Sequence, residues 1–155
     1  MILRVVLSVV LTTALLAVAT PAMADAGASR ADSAIQRQLG ALSEDLETMV
    51  ETDDPTAGRG ARHVATVRLP DQSLTSAAVT RLRFHSREGV ALASWRVGNG
   101  ARHGSKHLAG VPVRAVDGDA VTLREPGTHR LAFELRSRAG ETVLTVKRLG
   151  GGSDA

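Results

Sequence analysis

Two histidines, His103 and His107, are spaced four residues apart, which is the spacing of two metal ligands on one face of a helix. Gly104 stands between them, and glycine disfavours the helix that would align the two imidazoles. An arginine and a lysine adjoin the histidines, and neighbouring cations raise the free energy of binding a metal ion. The sequence therefore favours a solvated loop, and a zinc or copper site completed by His85 is the alternative.

The remaining polar residues match no common catalytic arrangement. The chain contains 0 cysteines, which excludes a thiol nucleophile, a disulfide scaffold and a cysteine metal site. The Gly-x-Ser-x-Gly frame of a serine hydrolase is absent from the sequence, and no pair of carboxylates is marked out for glycoside hydrolysis. We therefore expect a non-catalytic protein that needs no cofactor.

Basic side chains carry the strongest remaining chemical signal, because guanidinium groups bind phosphates and carboxylates through charge-assisted hydrogen bonds. They alternate along two predicted strands and also stand in a predicted loop. If those strands are neighbours, the side chains form one cationic surface for an anionic partner. The alternative is that they solvate the outer face of a sheet and protect its edges. The candidate contacts are Arg81, Arg83, Arg102, Lys106, Arg130 and Arg136.

The first 24 residues have the pattern of a secretory signal peptide. Arg4 precedes an apolar stretch over 5–19, and Pro21 is expected to end the helix. The small residues that signal peptidase requires before its cleavage point end at Ala24. The sequence thus predicts cleavage after Ala24 and a periplasmic or secreted protein. The alternative is an uncleaved membrane anchor, for which the apolar run is short.

Residues 25–55 form an acidic segment with the periodicity of an amphipathic helix. Ser33 and Gln36 fit a capping box at its start, and the residues 53–55 end it. The helix packs either on its own domain or against a second copy through residues 33–50. Its apolar stripe consists of Ile35, Leu39, Leu42, Leu46 and Met49.

The charges of the exported chain divide between two regions. Residues 25–55 contain eight acids and two bases, a net charge of −6, whereas residues 56–155 contain sixteen bases and eight acids, a net charge of +8. Opposite charges suggest that the helix docks on the basic region and hides the cationic surface. In this hypothesis the docked helix covers the cationic surface until it is displaced.

Beyond a linker at 56–61, the pattern changes to alternating apolar and polar residues, which is typical of strands. A loop is predicted over 98–110, a hairpin around Asp117-Gly118-Asp119, and a flexible tail at 150–155. The pattern predicts a small antiparallel β-sandwich over 62–149, immunoglobulin-like, with about seven strands. The predicted strands are 64–69, 79–85, 90–97, 111–116, 120–124, 129–138 and 142–149.

These features favour a non-catalytic interaction module that binds or escorts an envelope protein or an anionic glycan or lipid. Nucleic acid is disfavoured as a partner because only 2% of the residues are aromatic, which leaves little surface for base stacking. Two alternatives are a metal-binding protein or metal-assisted enzyme that uses the loop histidines, and a structural protein that assembles through its N-terminal helix.

Overall fold

The computed structural model describes residues 2–56, 60–73, 75–98, 100 and 102–150. Most of the predicted tail, and three residues of the predicted linker, lie outside the described residues. The described chain forms one helix, α1 (Ile2–Thr52), and eight strands. The strands are β1 (Arg62–Leu69), β2 (Val79–Arg87), β3 (Val90–Val97), β4 (Arg102–Ala109), β5 (Val113–Ala115), β6 (Val121–Leu123), β7 (Gly127–Arg138) and β8 (Glu141–Leu149).

The strands form two four-stranded sheets, so the protein is mostly β with an N-terminal helix. The first sheet has the order β1-β7-β8-β5 and the second sheet has the order β4-β3-β2-β6. Neighbouring strands are antiparallel except for β5 and β8, which are parallel. All seven predicted strands are present, with bounds that differ by a few residues.

The two sheets share one hydrophobic core, to which strands such as β2 and β7 contribute the buried side chains of their inner faces. Phe84 of β2 and Phe133 of β7 are 0% exposed and meet edge to face with ring centroids 5.8 Å apart. Each such buried ring stabilises the fold by about 1.5–3 kcal/mol relative to an exposed one. The aromatic pair therefore joins the inner faces of the sheets.

Two tight turns fix the register of the longest hairpins. Glu88 and Gly89 connect β2 to β3 with φ angles of 54° and 81°, and Ala139 and Gly140 connect β7 to β8 with φ angles of 53° and 83°. Positive φ at both central residues matches the right-handed twist of the flanking strands. Both turns lie in the gaps between the predicted strands, 86–89 and 139–141.

The second half of α1 packs along the edge strands β1 and β4, and so covers one side of both sheets. The whole predicted apolar stripe is buried in the common core, with Ile35, Leu39 and Leu46 at 0% exposure. Helix and sheets are therefore one packed unit. The helix ends at Thr52, just before the predicted stop at 53–55.

The start of the helix differs from the prediction. α1 is continuous from Ile2, so Pro21 does not end it and Ser33 does not cap it. Proline removes one backbone donor, and the surrounding alanine, leucine and methionine residues favour helix strongly enough to continue on both sides. Gln36 Nε2 instead donates to Asp32 Oδ2, one turn earlier, at 2.8 Å.

The first half of α1 projects beyond the core. Residues 3–17 and 22–26 are exposed, and burial begins at Gly27 and Ala28. By length and composition this helix is apolar enough to cross a membrane, and signal sequences at an N-terminus pass the same test. The predicted cleavage point after Ala24 thus lies just before the first buried residues.

Two predictions within the β region are wrong. The predicted loop at 98–110 contains β4, which has polar residues on both faces and therefore lacks the usual strand pattern. The predicted hairpin around 117–119 is a connection between sheets, because β5 pairs with β8 and β6 pairs with β2. The Ser86 hydroxyl donates a hydrogen bond to the carbonyl oxygen of Val113 at 2.6 Å and accepts one from the Val113 N–H at 2.7 Å. These two bonds hold β5 beside the second sheet.

Candidate anion-binding site

Four side chains that can carry positive charge gather on the outer face of the second sheet. Arg81 on β2 is paired with Arg96 on β3, which is paired with His103 on β4. Arg83 lies two residues from Arg81 on the same exposed face. Side chains of directly paired residues have Cβ atoms about 4.5–5.5 Å apart. We call Arg81, Arg83, Arg96 and His103 the cationic cluster.

The three arginines of the cationic cluster lack a compensating charge in the described part of the chain. None of their guanidinium groups lies within the 4.0 Å ion-pairing distance of a described carboxylate. Like charges placed side by side across strands destabilise a sheet. An anion bound between them would relieve that repulsion.

The cationic cluster surrounds a surface depression of about 480 Å³. Ser94 and Ser105 add two hydroxyl groups, and Trp95 and Gly104 also line the depression. Hydroxyl and guanidinium groups can all donate hydrogen bonds to the oxygens of a phosphate, sulfate or carboxylate. The donor set of the depression therefore suits an anion.

Trp95 and Gly104 are directly paired across β3 and β4. Trp95 is 5% exposed, and its ring lies beneath Gly104 toward α1. A Cβ atom at position 104 would overlap the ring, so only glycine fits there. Trp95 Nε1 donates a hydrogen bond of 2.7 Å to Asp32 Oδ1 on the helix.

A second depression, of about 520 Å³, lies on the other side of Gly104, between β4 and the helix. Arg37 of α1 and Lys106 of β4 supply its positive charge, and we call them the helix-side pair. Neither has a carboxylate oxygen within 4.0 Å among the described residues. The two depressions share Trp95, Gly104 and Ser105 as lining residues.

The six predicted contacts lie on different parts of the molecule. Arg81 and Arg83 belong to the cationic cluster and Lys106 to the helix-side pair, whereas Arg130 and Arg136 lie on β7 in the other sheet. The predicted strands are thus not neighbours, and the six side chains do not share one surface. Arg136 Nη2 also contacts Glu134 Oε2 at 2.7 Å, which neutralises it locally.

Arg102 serves the packing of the helix. Its Nη2 atom lies 2.9 Å from Asp25 Oδ1. This hydrogen bond, and next the attraction between the two charges, raises the pKa of Arg102 above its ordinary value. Arg102 therefore holds the helix at the end of β4 instead of presenting a free charge.

Sequence reasoning missed Arg96 and Arg37. Arg96 alternates with Ser94 along a strand that was predicted correctly, so the period of two could have placed it on the same face as the other strand arginines. Arg37 lies in an acidic segment, and only the docking of the helix brings it beside Lys106.

The histidines do not form the metal pair that was the alternative to a solvated loop. Four residues along a strand separate His103 and His107 by about 13 Å, whereas the same spacing on a helix would place them one turn apart. His107 Nδ1 instead lies 3.6 Å from Glu47 Oε1. Among the described residues, no group of three or more histidine or acidic side chains is placed to hold a metal ion.

The helix does not act as the predicted cover of the cationic surface. Its acids meet the ends and edges of the sheets, with Asp45 3.5 Å from His63 in addition to the pairs made by Asp25 and Glu47. The arginines of the cationic cluster remain exposed while the helix is docked. Their binding face is therefore open in the folded chain.

Comparison with protein families finds one match across nearly the whole chain. The family model described as Domain of unknown function (DUF7311) matches residues 2–149. The chain belongs to this family. The DUF7311 match begins with α1 and ends with β8, so it includes the exposed apolar half of the helix as well as both sheets. No curated protein and no solved structure matches the chain.

Proposed function

We propose that this protein is an exported, non-catalytic binding module of the cell envelope, and that its cationic cluster binds an anionic envelope component. The observation that supports the proposal is the row formed by Arg81, Arg96 and His103, with Arg83 beside it. Three exposed guanidinium groups without a described carboxylate neighbour favour an external anion as their partner.

The chemistry of these groups suits binding better than proton transfer. Guanidinium groups stay protonated at all physiological pH values, and they offer several N–H donors in a fixed plane. Ser94 and Ser105 add neutral donors on the same side. Attraction to such a site is long-range at low ionic strength and weakens as salt screens the charges.

We further propose that the two sheets form an immunoglobulin-like sandwich and that the chain is periplasmic or secreted after cleavage at Ala24. The position of the first buried residues supports cleavage, because Gly27 and Ala28 follow the site closely. Removal of residues 1–24 would leave the buried stripe and the contact between Asp25 and Arg102 inside the mature chain.

Salt-dependent elution from a heparin column tests the proposal. The Arg81→Gln/Arg96→Gln variant should elute at clearly lower salt than the wild type. A matched control, Arg68→Gln/Lys147→Gln, removes the same charge from exposed positions on the other sheet and should shift much less. Equal shifts for both variants would mean that net charge alone governs retention, and the proposed site would then be wrong.

Structural assembly is a second candidate, supported by the apolar side chains exposed along the first half of α1, among them Leu3, Leu7 and Leu11. The stripe at 33–50 is buried in the chain's own core, so an assembly would use the first half of the helix instead. Intact-mass measurement of the protein from envelope fractions decides between the two. A mass without residues 1–24 contradicts assembly through this segment, and a full-length mass in a detergent-stable oligomer supports it.

A further inference from the structure

We propose that the ligand is an extended polymer with repeated anionic groups, and that it crosses the edge strand β4 at Gly104. One anionic group would lie on the cationic cluster and a later one on the helix-side pair. This inference rests on the proposed function, because it names the class of anion that the open face binds.

The shape of the surface supports a crossing at this point. The two depressions share Trp95, Gly104 and Ser105 as lining residues, so they adjoin at the edge strand β4. Position 104 carries no side chain because the indole of Trp95 occupies the space that a Cβ atom would take. Because the two depressions adjoin at the edge strand, a chain-like ligand that occupies one can reach the other around β4.

The charges on the two sides of Gly104 favour repeated anions over a single one. The cationic cluster and the helix-side pair are separate groups, and a small anion in one depression would leave the other unoccupied. On α1, the positions three and four residues from Arg37 are occupied by Ser33, Ala34, Gly40 and Ala41, so no acid neutralises it along the helix.

Two acids of the helix, Asp32 and Asp25, have partners within the described structure. Asp32 accepts hydrogen bonds from Trp95 Nε1 and Gln36 Nε2, at 2.7 and 2.8 Å. Asp25 is paired with Arg102. Hydrogen bonds from the uncharged indole and amide donors leave the negative charge of Asp32 in place, so the path stays positive only because the cationic cluster and the helix-side pair outnumber that charge.

The curvature of the path distinguishes a polymer from a lipid surface. The cationic cluster lies on the outer face of a sheet, whereas the helix-side pair lies in the angle between that sheet's edge strand and α1. A flat membrane surface would meet the outer face alone. A flexible polymer can follow the surface around the edge strand.

Inorganic polyphosphate of graded length, compared with orthophosphate and tripolyphosphate at constant ionic strength, tests the inference. The protein contains 1 tryptophan, and Trp95 lies under the path, so its emission reports binding directly. We expect affinity to rise about tenfold or more once the chain is long enough to reach both groups, because the second contact becomes intramolecular. Calorimetry checks the same affinities independently of fluorescence.

Variants separate the two contacts. Arg37→Gln/Lys106→Gln should reduce the affinity for long polyphosphate to that for tripolyphosphate and leave tripolyphosphate binding unchanged. Arg81→Gln/Arg96→Gln should weaken the binding of both lengths, whereas Arg68→Gln/Lys147→Gln serves as the charge-matched control and should change neither by more than about twofold.

The possible failures are distinguishable. One outcome overturns the inference and leaves the proposed function intact. In it, tripolyphosphate binding depends on the cationic cluster, but longer polyphosphate binds no more tightly and the helix-side variant behaves as wild type. Tighter binding to vesicles of anionic lipid than to polyphosphate of equal phosphate concentration overturns it in favour of a lipid headgroup. If no phosphate probe binds and the cluster variant still behaves as wild type on heparin, both proposals fail.

Discussion

The indole nitrogen of Trp95 donates a hydrogen bond of 2.7 Å to Asp32, which joins the second sheet to the helix across 63 residues of sequence. A buried donor of this kind loses its hydration on folding and therefore needs an acceptor. The bond fixes the ring beneath Gly104, where both surface depressions meet. Helix docking and the shape of the candidate site thus depend on the same contact.

Asp32→Ala should reduce the free energy of unfolding by about 1–3 kcal/mol, because it leaves the buried indole N–H without an acceptor. Urea unfolding followed by Trp95 fluorescence measures the change. Asp45→Ala is the control, since it removes only the solvent-exposed pair with His63 and should cost no more than about 1 kcal/mol. Equal losses in the two variants would show that the hydrogen bond contributes nothing specific.

Gly104→Ala should destabilise the fold by about 1–3 kcal/mol, because the added methyl group collides with the Trp95 ring and forces the ring or strand to move. The emission maximum of Trp95 should also shift as its surroundings change. Gly110→Ala is a suitable control, because a Cβ atom at position 110 meets nothing within 4 Å. A Gly104→Ala variant with wild-type stability and emission would contradict the packing described for this pair.

Truncating a residue of the buried stripe should reduce the free energy of unfolding far more than truncating a residue in the exposed half of the same helix. Leu39→Ala should reduce the free energy of unfolding by about 2–5 kcal/mol, because it opens a cavity beside the sheets. Leu11 is 61% exposed, and Leu11→Ala in the full-length chain should leave the unfolding of the sheets unchanged. Thermal unfolding of both variants in the same detergent makes the comparison, and similar losses would show that the two halves are not distinct.

The ion pair between Arg102 and Asp25 should be insensitive to pH on the alkaline side. The raised pKa of Arg102 means that its contribution is fully present below the ordinary arginine value and is lost only as pH rises through the raised one. The difference in unfolding midpoint between wild type and Arg102→Gln should therefore stay constant from about pH 7 to about pH 10. A difference that falls steadily across this range would mean that another titrating group governs the contact.

Periodicity was sufficient to predict most of the elements, and the exceptions have physical causes. Residues such as Leu82 and Phe84 alternate with arginines, so their strand is visible in the sequence. The strand β4 is not visible in the sequence, because the helix covers one of its sides and its residues are polar on both sides. A strand stabilised mainly by backbone pairing with β3 leaves little trace in hydrophobicity.

The candidate site was predictable only in part for a related reason. Alternation placed Arg81 and Arg83 on one outer face, but the pairing of β2 with β3 was needed to bring Arg96 beside them. The proximity of Arg37 to Lys106 depends on how the helix docks, which no local pattern encodes. Which strands are neighbours is a property of the whole fold, and that property separated Arg130 and Arg136 from the site.

Titration calorimetry of the purified protein with tripolyphosphate at low salt tests the central claim most directly. We predict saturable binding that Arg81→Gln/Arg96→Gln weakens at least about tenfold and that Arg68→Gln/Lys147→Gln leaves within about twofold. Saturable binding of equal strength in all three proteins, or no binding to the wild type, would contradict the assignment of the cationic cluster as an anion-binding site.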